Sequence, residues 1–148
     1  MINFNDITKA IEEILNSDPE INNFMNRKDV VVGEIINYDP NQTPWIGVYR
    51  GTVKYEPRTL GSMGNWEGSP SVKIIVQATD IRSASQCEES LEQYVQHIIN
   101  AMLADTTLNG TVDIITSFDV EQGYIETERA SIHFQGASIT FNMEVATQ

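Results

Sequence analysis

The sequence predicts an α+β fold: a single mostly antiparallel β-sheet, with a long central helix and an N-terminal helix packed on one face. Three observations predict it. Two segments repeat apolar residues at three- and four-residue steps, the mark of a helix with one buried stripe. Most remaining apolar residues alternate with polar ones or form short β-branched runs, as strands do. The order is helix, strands, loop, strand, long helix, strands, which one sheet with helices on a single face satisfies. The 148 residues fit a single domain spanning 1–148.

The first helix is predicted over about 4–16, where Ile7, Ala10, Ile11, Ile14 and Leu15 share a face. Asn3 suits its N-cap, Asp6 its first turn, and Ile2 with Ile7 a hydrophobic staple. Ser17-Asp18-Pro19 ends it, because the residue before proline disfavours the helical region. Asp18 then caps a short second helix with Pro19 in its first position and Ile21, Phe24 and Met25 buried. Val30–Ile36 reads as a strand, and Tyr38–Gln42 as a turn. Trp45–Glu56 alternates, with Trp45, Tyr49, Val53 and Tyr55 on one face and Arg50, Thr52, Lys54 and Glu56 on the other. The two strands together suggest a hairpin.

An extended loop is expected over 57–70, where three glycines and two prolines break any periodicity. Met63 and Trp66 inside it suggest either a docking arm or a segment tucked back onto the domain. Ser71–Thr79 is a largely buried strand. The long helix follows, with Cys87, Leu91, Tyr94, Val95, Ile98, Met102 and Leu103 in one stripe and a capping box at Ser83–Gln86 or Ser85–Glu88. Asn109-Gly110 marks a turn. Val112–Phe118 and Tyr124–Phe134 read as strands, and Ser131–Val145 as a hairpin turning at Gln135-Gly136.

Nine basic and 21 acidic residues leave a net charge of −12. Such a surface repels phosphates, which argues against a stand-alone DNA or RNA binder. The charge is uneven: residues 105–148 hold seven acidic groups and one basic residue, Arg129. No apolar run approaches the roughly 20 residues that span a bilayer, and the N-terminus lacks a secretory signal pattern, so synthesis in the cytoplasm is expected.

The search for chemistry finds no catalytic set. His97 and His133 lack an i, i+4 histidine partner, so the helical zinc pattern is absent. A single cysteine, Cys87, on an apolar helix face reads as a small hydrophobe. There is no nucleophile elbow and no Walker A lysine. No catalytic residue, metal or cofactor is expected. The one positive feature is the basic stripe Arg50, Lys54 and Arg58, with Arg50 and Lys54 read as sharing a strand face. It reads either as a solubilising edge or as an interface that meets an acidic neighbour, and head-to-tail contacts of that kind can close into a ring.

An amphipathic N-terminal helix, a hairpin, a glycine-rich loop, the strand Val72–Asp80 and the helix through Leu103 containing Glu88-Glu89-x-Leu91-Glu92 form a familiar order. It resembles the tail-terminator (tail-completion) proteins of long-tailed bacteriophages. The resemblance implies a structural virion protein that is not an enzyme. It implies a homohexameric ring that caps the tail tube, ends its polymerisation and offers a surface to the head–tail connector, and in contractile tails meets the sheath. DNA would pass through its lumen unbound. Arg50, Lys54, Arg58, Met63 and Trp66 are the interface residues expected from the residue-level reading. The alternatives are another neck or baseplate component, or a small soluble ligand-binding module or enzyme.

Overall fold

The computed structural model describes residues 3–24, 31–32, 45–57, 66–80, 84–124 and 133–147. Helix α1 (Phe4–Ser17) starts where Asn3 accepts hydrogen bonds from the Asn5 and Asp6 amides through its side chain. These bonds satisfy donors that the first helical turn leaves without partners. The helix ends at Asp18, whose carboxylate then accepts from the Glu20 and Ile21 amides and caps α2 (Pro19–Phe24). One residue thus stops one helix and starts the next, as proline at position 19 requires. Ile7, Ala10, Ile11 and Leu15 are buried, and so is Ile21 of α2. The staple residue Ile2, Met25 and the Phe24 side chain lie outside the described residues.

Five strands form one sheet in the order β1-β2-β3-β5-β4. They are β1 (Val31–Val32), β2 (Trp45–Pro57), β3 (Trp66–Asp80), β4 (Ile114–Tyr124) and β5 (His133–Thr147). β2, β3, β5 and β4 pair antiparallel in turn. Helix α3 (Ala84–Leu103) packs on β3 and β5, while α1 packs on β2 and α3. The fold class is α+β. Its core joins Ile46 and Val48, Val72, Ile74 and Val76, and Ala137, Ile139, Phe141 and Met143 to Leu91, Val95, Ile98 and Met102 of α3.

Four local expectations are corrected. First, β1 and β2 do not make a hairpin: they pair parallel, Val31 with Gly47 and Val32 with Val48. Second, residues 57 and 66–70 are strand rather than loop, with Pro57 opposite Trp66 and Val53 opposite Pro70. Third, Gln135-Gly136 is no turn. β5 runs straight through it, with Gly136 paired to Gln77 on one side and Gly123 on the other. Turn-favouring residues do not turn a chain whose amides are held by partners on both edges. Fourth, Leu103 leaves the helix stripe and is 41% exposed, while Ala101 is buried. The capping-box residue Ser83 and the side chains of Ser85, Gln86 and Cys87 lie outside the described residues.

The turn from α3 to β4 is built around Leu108, Asn109 and Gly110, which carry φ of 49°, 57° and 81°. Leucine rarely adopts such a φ. Here burial of Leu108 holds it, and Asp105 braces the turn by accepting from the Thr107 hydroxyl at 2.7 Å and the Asn109 amide at 2.9 Å. The Thr107 hydroxyl, then the Asn109 and Thr107 amides, hold the Asp105 carboxyl below its ordinary pKa.

Candidate interaction surface

The phase of β2 changes in mid-strand. Arg50 pairs with Val72, but Val53 pairs with Pro70, so one extra residue bulges between them. The Thr52 amide donates to the Ser71 hydroxyl oxygen at 2.9 Å, which supplies a partner where the ladder breaks. Gly51 is required there: a Cβ would lie 2.2 Å from the Ser71 hydroxyl oxygen and 2.7 Å from its carbonyl oxygen. Even-numbered Ile46 and Val48 face the core before the bulge, and odd-numbered Val53 and Tyr55 share their face after it.

This bulge overturns the expectation that Arg50 and Lys54 share a face. Arg50 lies on the helix side. Its guanidinium carbon stands 5.9 Å from the Phe4 ring centroid, and it donates to the Asn5 side-chain oxygen on α1. Lys54 lies on the opposite, open face, paired with Glu56 at 3.0 Å. Arg58 and Met63 lie outside the described residues; Trp66 occupies the start of β3, opposite Pro57 and Thr147, and its side chain lies outside them.

The open face is acidic at this end of the sheet. Glu56 stands opposite Glu67 in the register, and Glu67 lies diagonal to Glu144 on β5. Repulsion from Glu67 is the largest cause raising the Glu144 carboxyl above its ordinary pKa, with desolvation, a hydrogen bond with Glu67 and repulsion from Asp113 adding to it. Among the described residues the helix layer is centred on β2, β3 and β5 rather than on β4.

Thr116–Gln122 are all exposed, on both faces of β4. Phe118 and Val120, opposite Phe141 and Ile139, lie on the helix side yet are 37% and 40% exposed. Phe118 still touches the core, with its ring centroid 5.6 Å from that of Phe141. Asp119 and Glu121 occupy the open face of the same strand. Sequence reasoning missed this apolar pair. Its signal was the alternation Phe118-Asp119-Val120-Glu121 on a segment with no third long helix to cover it.

Among the described residues, no group of three or more His, Cys, Asp or Glu is placed to hold a metal ion, and no helix is long and apolar enough to cross a membrane. His97 is half-buried. His133 pairs through its backbone with Asp80, and its side chain lies outside the described residues. No protein-family model and no curated protein matches the chain. Among solved structures, one chain of the virion of a native gene transfer agent particle is similar over 92% of each chain, at 11% identity and a TM-score of 0.42.

Proposed function

We propose that this chain is a structural protein of a phage particle, and that identical copies join head to tail into a hexameric ring that caps a tail tube. In this role it stops tube growth and presents a surface to the head–tail connector, and to the sheath where the tail contracts. The observation that carries the reading is the contrast between the two ends of the sheet. Lys54 lies on the outer half of β2, and Asp119 and Glu121 lie on β4. Lys54 is paired with Glu56 on that exposed face, and exchange of this pair for Asp119 or Glu121 of a neighbour would make a heterologous contact, which closes into a ring when its rotation allows.

Arg50 contributes to that contact from the helix side, and Lys54 from the open face. Arg58, Met63 and Trp66 add to the contact with the tube or a neighbouring ring. The net charge of −12 per subunit fits a lumen through which DNA passes without binding, since the phosphates are repelled. Assembly occurs in the host cytoplasm and the product resides in the virion.

The test is native mass spectrometry across a concentration series, with electron micrographs, alone and with purified tail tubes. A closed hexamer that binds tube ends is the expected result. A chain that stays monomeric and ignores the tubes overturns the proposal, as does a metabolite that reproducibly raises its melting temperature.

A further inference from the structure

We infer that Asn109-Gly110 is a modification site guarded by its own turn: the Asn109 side-chain amide is lost as ammonia when the turn opens, and is kept while Thr107 and Asp105 hold it closed. The inference is independent of the ring reading above.

The chemistry needs only water and hydroxide. The Gly110 backbone nitrogen gives its proton to hydroxide and attacks the side-chain carbonyl carbon of Asn109. A new nitrogen–carbon bond closes a cyclic imide, the side-chain carbon–nitrogen bond breaks, and ammonia leaves after taking a proton from water. A second water then opens the imide at one carbonyl or the other, leaving an aspartate or an isoaspartate. Glycine after asparagine favours the attack, because no Cβ crowds the nitrogen. This is the one Asn-Gly pair in the sequence, and both residues are exposed, so water reaches them.

The closed turn denies the first step. Four consecutive amides have acceptors inside it: Asn109 donates to the Asp105 carboxylate at 2.9 Å, Gly110 to the Thr107 carbonyl at 3.0 Å, Thr111 to the Leu108 carbonyl at 3.2 Å and Val112 to the Thr107 carbonyl at 3.1 Å. The Thr107 hydroxyl oxygen, 3.3 Å away, is a second acceptor for Gly110. The nitrogen that must attack is thus already donating, and an amide so engaged gives up its proton less readily. Its direction is wrong as well. A φ of 57° puts Asn109 in the left-handed region, whose ψ of about +47° sets the following nitrogen almost opposite the side chain about the Cα–C bond. Closing the imide swings that peptide round and breaks its bonds to Thr107. Buried Leu108, immediately before, resists the swing.

Opening therefore sets the rate, and the step is one-way. An isoaspartate lengthens the backbone by one carbon before Gly110, so the amides after it lose step with Thr107 and Leu108.

Timed incubation of the full chain at mildly alkaline pH tests it, with peptide mapping that separates asparagine, aspartate and isoaspartate at position 109. The folded chain should lose the amide at least roughly tenfold more slowly than the chain in guanidinium chloride, since only opened turns react. The Thr107 hydroxyl donates to Asp105 and accepts from Gly110, so Thr107→Ala should speed the loss several-fold in the folded chain and leave the denatured rate unchanged. Thr107→Ser keeps the hydroxyl and should stay slow, while Asp105→Ala should act as Thr107→Ala does. Equal rates in folded and denatured chains overturn the inference. So does a folded rate indifferent to both Thr107→Ala and Asp105→Ala in variants that still melt cooperatively. A chain converted to isoaspartate that melts where the untreated chain does overturns the one-way step.

Discussion

Strands β4 and β5 are neighbours with the same alternation and opposite fates. On β5, Ala137, Ile139, Phe141 and Met143 are sealed beneath α3. On β4, Phe118 and Val120 point to the same side, one strand further out, and stay more than a third exposed. Hydropathy does not separate the two strands; position beneath the helix layer does. A residue contributes to stability through the surface it removes from water, so equal side chains on adjacent strands carry unequal weight.

The largest expected effect tests this directly. Phe141→Ala should destabilise the fold by about 3–5 kcal/mol through lost burial and a cavity. Phe118→Ala should cost about 1–2 kcal/mol in the isolated subunit, because its ring is already partly in water. Urea unfolding of the two variants measures the ratio. Equal losses would show that β4 is covered in solution by something other than water.

A middle-sized effect concerns the bulge that sets the two faces of β2. Gly51→Val drives a side chain into the Ser71 hydroxyl and carbonyl and should cost about 1–3 kcal/mol. Ser71→Ala in the same background, which removes the nearer obstacle, should recover part of the loss. If it recovers nothing, the backbone contact alone sets the cost.

The smallest effect sharpens the comparison at the acidic end, where β5 meets β3 and β4. The Glu144 carboxyl is raised, so the folded chain binds more protons there than the unfolded one does. Repulsion at this group is therefore absent below the ordinary carboxyl range near pH 4 and grows as pH rises through the raised value. Asp105 has the opposite sign: its support of the turn is present above that range and fades as pH falls through its lowered value. Glu67→Gln should bring the Glu144 titration back toward ordinary and flatten the fall in stability above about pH 4. Carbon-detected NMR titration and thermal melts follow both. An unmoved Glu144 would mean that Asp113 or desolvation dominates.

Much of the architecture was legible in the chain, and for local reasons. Asn3 and Asp18 bond amides two or three residues away, so helix starts are written in adjacent residues. Ile7, Ala10, Ile11 and Leu15 on α1, and Leu91, Val95, Ile98 and Met102 on α3, lie at steps that only a helix brings together. The candidate surface was less legible. Lys54 stands exposed as expected, but the basic stripe divides because an extra residue at Gly51-Thr52 reverses the phase. That extra residue follows from the pairing partner, Ser71, twenty positions away from Gly51 along the chain. Phe118 and Val120 were missed because alternation reports two faces without saying which face anything covers.

The sequence by itself determined which segments are helices, where the first begins and ends and where the second begins, that long alternating strands surround them, and that the last third is acidic. Only the tertiary structure decided the strand order, the parallel seat of β1, the unbroken run of β5 through Gln135-Gly136, the split of Arg50 from Lys54 and the exposure of β4. The division has one physical cause. Caps and helical stripes are made by residues within a turn of one another, whereas a strand's period of two is the same for any partner, direction or cover. Those choices belong to contacts between residues far apart in the chain.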